Sequence, residues 1–274
     1  MLGWVLLFIG IVGFGYAAYS DLKTTEFSDL LPYSIIASAV AVRALFSVLT
    51  NSYTPLLNSI IIGLLFLGFG MVLYLLKQWG DGDAWLLGAL GFLFPDASGF
   101  TYSSPIPFYL GLLLNFFFIS FFYLAIYSVV LGFKEKVGRK FIREFRGELK
   151  SFVKILIVLS VITGFISLYL IFKIGIEPLK VYPIIISPLL LMSLSLFVYY
   201  GKFLEKAVFR KKIHVSKLRE GDVPVDNRWK VLSKEEVTKL KERGGHIWIK
   251  EGVRFAPVFL ITLLVTLFYG VLFL

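Results

Sequence analysis

Long apolar stretches dominate this chain and constrain its fold more than any other feature. Eight such stretches are separated by polar segments, and most reach the roughly 20 residues that a helix needs to cross the hydrocarbon core of a bilayer. A soluble globular domain does not carry so much apolar sequence, since 58% of the residues are hydrophobic and 17% are aromatic. The sequence therefore predicts an all-α polytopic membrane protein with about eight transmembrane helices.

The predicted spans follow the apolar stretches. They cover residues 2–19, 31–49, 56–76, 84–94, 106–133, 152–172, 183–200 and 255–274. The fourth is short and ends at Pro95, so it is either a partial span or a crossing with polar ends that its neighbours bury. No basic segment precedes the first stretch and no clear cleavage site follows it, so we expect a retained helix rather than a removed signal peptide.

The positive charge of the chain is concentrated in loops. The net charge is +10, yet residues 1–100 carry three basic and six acidic side chains, while residues 101–274 carry 25 basic and 12 acidic ones. The excess falls beside apolar spans, in residues 134–154 and 202–250. This pattern is typical of topology signals and of attraction to anionic lipid, so membrane lipid is an expected partner and nucleic acid is not.

The distribution of charge also predicts an orientation. If all eight spans cross, both basic loops fall on one side and only Lys173 and Lys180 fall on the other. The positive-inside rule then places the basic loops in the cytoplasm and both termini outside, in a multi-pass protein of the cytoplasmic membrane. If residues 84–94 did not cross, Lys77 and the basic loops would lie on opposite faces, so the charges favour eight crossings.

Several kinds of site are excluded by residue types that are scarce. Cysteine is absent, which excludes disulfides, thiolate zinc sites and thiol nucleophiles. The two histidines, His214 and His246, are too few and too isolated for a metal site, and no cofactor is expected. Few Asn, Gln and Met residues beside many Lys and Glu residues indicate a thermophilic source.

Two carboxylates lie at the ends of predicted spans, where an acidic side chain is costly and indicates a function. Asp21 follows the first span, and Asp83 closes a Gly-Asp-Gly-Asp segment that opens the fourth. Alternation of the loops puts both at the cytoplasmic end of the membrane. Two carboxyl groups at one depth predict an acid–base pair.

An aspartyl protease needs such a pair, with one group acting on a water and the other on the scissile carbonyl, and needs no cofactor. Gly80 and Gly82 lack side chains, which would let substrate backbone or a neighbouring helix approach Asp83. Two alternatives stay open. The same acids could serve a proton- or cation-coupled transporter, or the chain could be a noncatalytic assembly scaffold.

The residues around both aspartates resemble those of the type IV prepilin peptidases. The likeness rests on Ser-Asp-Leu-Lys-Thr-Thr-Glu at residues 20–26 together with Gly-Asp-Gly-Asp at residues 80–83. It is closest to the archaeal branch, the preflagellin (prearchaellin) peptidases, which are GxGD-type intramembrane aspartyl proteases. It covers roughly the first half of the chain and extends more weakly to residues 220–252.

This resemblance implies that Asp21 and Asp83 are the catalytic aspartates and that Gly80 and Gly82 are motif glycines. It also implies the reaction, removal of a short basic leader from archaellin or pilin-like precursors at the cytoplasmic face. The cysteine-rich loop of the bacterial branch is missing here, and no residues mark a methyltransferase site. We therefore expect peptidase activity alone, on a protein substrate, and leave the oligomeric state open.

Three further acids lie near the pair on the same predicted face: Glu26, Asp29 and Asp81. They either attract the basic leader or are ordinary hydrated loop acids. Arg43, inside the second span, is expected to snorkel to the headgroups.

Asn58 and Asn115 are expected to form hydrogen bonds between helices.

The predicted domain organisation has five parts. Residues 1–133 form a catalytic membrane core of five spans, residues 134–151 a basic amphipathic cytoplasmic loop, and residues 152–200 two additional spans. Residues 201–252 form a small soluble α/β lobe in the cytoplasm, and residues 253–274 the final transmembrane helix. Within the lobe, a capping box at Ser233 predicts a helix to about Arg243, and strands are expected near residues 213–215, 229–232 and 246–249.

Overall fold

The computed structural model describes residues 2–76, 78–225 and 232–272, so the predictions for Lys77 and for a strand over residues 229–231 lie outside the described residues. The chain divides into two compact units, Met1–Leu124 with Glu251–Leu274, and Ala125–Lys250. The helices are α1 Leu2–Thr24, α2 Leu30–Leu49, α3 Thr54–Leu75, α4 Asp81–Leu93, α5 Phe108–Lys134, α6 Gly138–Phe172, α7 Pro178–Leu204, α8 Lys234–Arg243 and α9 Pro257–Tyr269. The strands are β1 Arg210–His214, β2 Val223–Pro224 and β3 His246–Lys250.

Each predicted span coincides with a helix, but the helices differ in length. Among the described residues, six helices are long and apolar enough to cross a membrane: α1, α2, α3, α5, α6 and α7. Helices α4 and α9 have 13 residues each, or about 20 Å, against about 30 Å of hydrocarbon. The structure is thus that of a helical membrane protein, and eight crossings stay a prediction.

Helix α4 is the enclosed element of the first unit. It packs against α1, α2, α3 and α9, and every residue from 86 to 93 is buried. Its largest contact is with α3, where glycines allow close approach. A Cβ atom at Gly91 would lie 2.9 Å from the Ile62 carbonyl oxygen, and one at Gly70 would lie 2.9 Å from the Ala84 backbone.

Buried donors from two other helices hold the carboxyl end of α4. Ser59 Oγ donates to the Phe92 carbonyl at 2.6 Å, and Arg43 Nη2 donates to the Leu93 carbonyl at 2.7 Å. Arg43 also pairs with Asp96 at 3.6 Å and is fully buried. The prediction that Arg43 snorkels is therefore wrong. The last carbonyls of a helix have no partner within it, and hydrocarbon offers no water to replace one.

Asn115 joins α5 to α9. Its Nδ2 donates to Thr266 Oγ1 at 3.0 Å and to the Gly270 carbonyl at 2.7 Å, while its Oδ1 accepts from the Leu272 N–H at 3.0 Å. The interhelical role predicted for Asn115 is confirmed. Asn58 is exposed on α3, and its buried neighbour Ser59 makes the interhelical bond instead.

In the second unit, α6 is continuous from Gly138 to Phe172. No helix boundary separates the basic segment from the span that follows it at residue 152. Phe141 and Phe145 lie one turn apart on α6, and their rings stack with centroids 5.7 Å apart. Their rings contact Tyr199 of α7, so this face of the basic segment packs against α7.

Among the described residues, the second unit also contains a three-stranded antiparallel sheet in the order β1-β3-β2, and Val237 of α8 lies in one apolar cluster with Ile249 of β3. The predicted capping box is present, since Ser233 and Glu236 exchange side-chain and backbone hydrogen bonds. The expected isolation of the histidines is wrong. His214 and His246 are direct partners across β1 and β3, with ring centroids 5.2 Å apart.

Candidate active site

Asp21 lies in the last turn of α1, and its position depends on how that helix ends. Thr25 follows the helix with a φ of 63°, a left-handed conformation that terminates it, and its N–H donates to the Asp21 carbonyl at 2.8 Å. The hydroxyls of Ser20 and Thr24 both donate to the Glu26 carbonyl, at 2.8 and 2.9 Å. These bonds fix the turn that carries Asp21.

The Asp21 carboxylate points into the first unit. The residue is 5% exposed, and its Oδ2 accepts from the Ala256 N–H at 2.8 Å. The Phe255 N–H is a second donor to this carboxylate, and Arg254 lies close enough for its charge to attract it. All three partners come from the segment that leads into α9.

Asp83 occupies the first turn of α4. Gly80 precedes the helix in an extended conformation, with φ −74° and ψ 156°, and its backbone N–H donates to the Asp83 carboxylate. An acid at the third helical position satisfies one of the N–H groups that a helix start leaves free, and the helix dipole favours its negative charge. Asp83 is therefore held by its own helix.

The motif glycines sit where other groups approach α4. A Cβ atom at Gly82 would lie 2.7 Å from the ring of Phe27, so the α1–α2 loop packs directly on this turn. A Cβ atom at Gly80 would lie 3.4 Å from Asp83 Oδ2, which is ordinary contact. The group that approaches Gly82 therefore belongs to this chain, and a side chain at residue 82 would displace the Phe27 ring.

The structure brings the two predicted catalytic aspartates together. The Asp21 and Asp83 carboxylates lie close enough for their charges to repel each other. One comes from the end of α1 and the other from the start of α4, so the fold joins residues 62 positions apart in the sequence. Repulsion between like charges disfavours the state in which both carboxyl groups are ionised.

Two of the three predicted leader-binding acids also lie near each other. The charges of Asp29 and Asp81 interact, and the Trp85 side chain donates a hydrogen bond to Asp81. Glu26 lies in the same α1–α2 loop as Asp29. All three acids are exposed.

Several residues of the site were not predicted. An aromatic cluster lies beside the segment that donates hydrogen bonds to Asp21. The ring centroid of Trp79 lies 5.5 Å from that of Phe116 and 5.7 Å from that of Phe255. Trp79 directly precedes the motif, and this adjacency was the one available signal. Ala256 acts through its backbone, which no residue pattern reveals.

Within the described ranges, no group of three or more His, Cys, Asp or Glu side chains could hold a metal ion. The expectation that the chemistry uses no cofactor stays a prediction.

Residues 8–129 match the model of the type IV leader peptidase family. This segment belongs to the type IV leader peptidase family. The predicted resemblance to the type IV prepilin peptidases is thereby confirmed at the level of the family, and the matched segment contains both aspartates and both motif glycines. Searches of curated proteins and of solved structures give no significant match to the chain. The family indicates a protease with leader peptidase activity in general, and hence a protein substrate.

The leader peptidase segment ends before the residues that bind Asp21. Arg254, Phe255 and Ala256 lie more than a hundred residues beyond it in sequence. The first compact unit nevertheless contains residues 8–124 of this segment together with Arg254, Phe255 and Ala256, because it includes Glu251–Leu274.

Proposed function

We propose that this chain is a GxGD-type intramembrane aspartyl endopeptidase, in which Asp21 and Asp83 activate a water molecule against a peptide bond. The observation that carries the proposal is the meeting of these two carboxylates at the adjoining ends of α1 and α4. Two interacting carboxyl groups supply both the base and the acid that peptide hydrolysis needs. The family match over the same residues supports this chemistry.

The proposed substrate is a preflagellin- or prepilin-like precursor with a short basic leader, as in the archaeal branch of the family. Glu26, Asp29 and Asp81 form an exposed acidic surface beside the proposed catalytic pair. Such a surface attracts Lys and Arg side chains, and it does so less at high salt. Changing Asp29 and Asp81 together to Asn should raise KM for a basic leader and leave KM for a neutral leader unchanged.

The proposed site of action is the cytoplasmic face of the cell membrane, with both termini outside. The support is the excess of basic residues in the loops 134–154 and 202–250, which the positive-inside rule assigns to the cytoplasm. The leader of a precursor made in the cytoplasm would meet the catalytic pair there before the rest of the chain is exported.

The test is cleavage of a basic-leader precursor by the purified protein in proteoliposomes. We expect Asp21→Asn and Asp83→Asn each to abolish cleavage while the protein stays folded. Glu177→Gln is the matched control, because it makes the same chemical change on an exposed acid of the second unit. Substantial cleavage by either aspartate variant would contradict the two-aspartate mechanism.

The same proteoliposomes distinguish the transporter alternative. A proton- or cation-coupled transporter would move ions across the bilayer in an Asp21- and Asp83-dependent manner and would not cleave the precursor. We expect cleavage without such flux.

A further inference from the structure

The carboxylate of Asp21 caps the amino end of a helix 235 residues away in sequence. Ala256 precedes α9, and no side chain of its own caps that helix. The Asp21 carboxylate instead accepts hydrogen bonds from the N–H groups of Ala256 and Phe255. A helix start carries partial positive charge from its free N–H groups, so it favours the ionised form of a carboxylate.

A cation reinforces this arrangement. The charge of Arg254 attracts Asp21, and Arg254 Nε is buried without a hydrogen-bond partner among the described residues. The segment is anchored to α5, because the Tyr123 hydroxyl donates to the Arg254 carbonyl at 2.6 Å. The donors that face Asp21 are therefore held in place by a second helix.

Asp83 has fewer groups that favour a negative charge, namely the Gly80 N–H and the amino end of its own helix α4. Its partner is the Gly80 N–H, and the charge that faces it from α1 is that of Asp21 itself. When two carboxyl groups repel each other, the one with more hydrogen-bond donors and a nearby cation stays ionised, and the other holds the proton.

We propose that residues 254–256 make Asp21 the base of the catalytic pair and Asp83 the acid. This assignment rests on the proposed function and names Arg254 and Ala256 as positioning residues. Ionised Asp21 removes a proton from water as the water oxygen bonds to the scissile carbonyl carbon, and Asp83 gives its proton to the carbonyl oxygen. In the second step the C–N bond breaks. The leaving nitrogen takes the proton held by Asp21, and Asp83 recovers a proton from a hydroxyl of the tetrahedral intermediate.

The test is the pH dependence of precursor cleavage by Ala256→Pro. Proline removes the N–H that donates to Asp21, and the φ of −55° at residue 256 suits the proline ring. Loss of a hydrogen bond to an ionised base makes that base easier to protonate, so the acid limb of the profile should move to higher pH by about one unit. On that limb kcat should fall roughly tenfold with KM unchanged.

Ala256→Ser is the matched control, since it keeps the N–H, and its acid limb should coincide with that of the wild type whatever its absolute rate. Arg254→Gln gives a second measurement if Ala256→Pro does not fold. It should move the acid limb in the same direction, and Arg254→Lys, which keeps the charge, should restore it.

An acid limb that stays in place in folded Ala256→Pro and Arg254→Gln would overturn the assignment, as would a shift of the alkaline limb alone. A purely structural role would lower the melting temperature and the amount of active protein without moving either limb. Absence of cleavage by the wild type would overturn the proposed function as well, whereas cleavage with unmoved limbs overturns this assignment alone.

Discussion

At the scale of single residues, Asp21 has a structural role that is separable from its proposed chemistry. Its side chain satisfies two backbone N–H groups at the start of α9 in a buried setting. An asparagine at this position keeps an oxygen that can accept those bonds, whereas an alanine leaves the donors without a partner.

We therefore expect Asp21→Ala to unfold more easily than Asp21→Asn, by about 1–2 kcal/mol in the free energy of unfolding. Both variants should be inactive. Thermal unfolding in detergent, with precursor cleavage measured in parallel, makes the comparison. Equal melting temperatures for the two variants would contradict the capping role.

Arg43 illustrates a residue whose sequence context was misleading. A lone cation inside an apolar stretch was expected to reach the headgroups, and nothing near it in sequence marks the Leu93 carbonyl as its partner. The partner exists because α4 ends inside the unit, a fact that only the tertiary structure provides.

Replacing Arg43 with methionine should destabilise the protein by roughly 2 kcal/mol, because a buried carbonyl loses a charge-assisted hydrogen bond. Lys173→Met is the control, since Lys173 is exposed at the end of α6. Equal melting temperatures for the two variants in detergent would show that Arg43 does not stabilise the end of α4.

Among the helices, α3 packs closely against the turn of α4 that carries Asp83. Gly70 faces the Ala84 backbone, one residue after Asp83, and a Cβ atom there would lie 2.9 Å from it. Gly68 lies on the same helix with nothing within 4 Å of its position for a Cβ atom.

Gly70→Ala should push α3 from the start of α4 and displace Asp83. We expect kcat to fall by about tenfold or more, because small misplacements of catalytic groups are costly. Gly68→Ala is the matched control and should cleave at the wild-type rate. Equal kcat values for the two variants would show that this contact does not position the aspartate.

Most of the helices were predictable from the sequence, and their ends were less so. Hydropathy located each span because the chain alternates clearly between apolar and polar segments. The continuity of α6 was not predictable, since the change from a basic to an apolar segment near residue 152 alters the hydropathy and leaves the helical backbone uninterrupted. The motif turn was predictable because glycines and carboxylates mark it directly.

For the molecule as a whole, the orientation in the membrane decides which compartment the proposed catalytic pair faces. The absence of cysteine allows single-cysteine labelling with an unaltered background. Suitable exposed positions are Ser28 in the α1–α2 loop, Ser216 just after β1 and Ser103 between α4 and α5.

In inside-out membrane vesicles, a membrane-impermeant maleimide should label Ser28→Cys and Ser216→Cys but not Ser103→Cys. In right-side-out vesicles, the maleimide should label Ser103→Cys and neither of the other two variants. Labelling of Ser28→Cys and Ser216→Cys from opposite sides would contradict the predicted topology.

The candidate site was predictable in part. Asp21 and Asp83 could be paired from motif and topology, because each carboxylate stands out in an apolar context. The contribution of Ala256 could not be predicted, since any residue except proline offers a backbone N–H and the contact spans most of the chain. The final helix therefore completes a site whose recognisable motifs lie in the first hundred residues.

Cross-linking tests whether Asp21 and Asp83 lie close enough to act as one catalytic pair. In this cysteine-free chain, Asp21→Cys with Asp83→Cys should be joined by a short bifunctional thiol reagent, and more efficiently when a basic-leader peptide is present. Asp21→Cys with Asp96→Cys is the control, because Asp96 lies beyond the opposite end of α4. Failure of the first pair to link under any condition, or linking no better than the control, would show that Asp21 and Asp83 do not act as one pair.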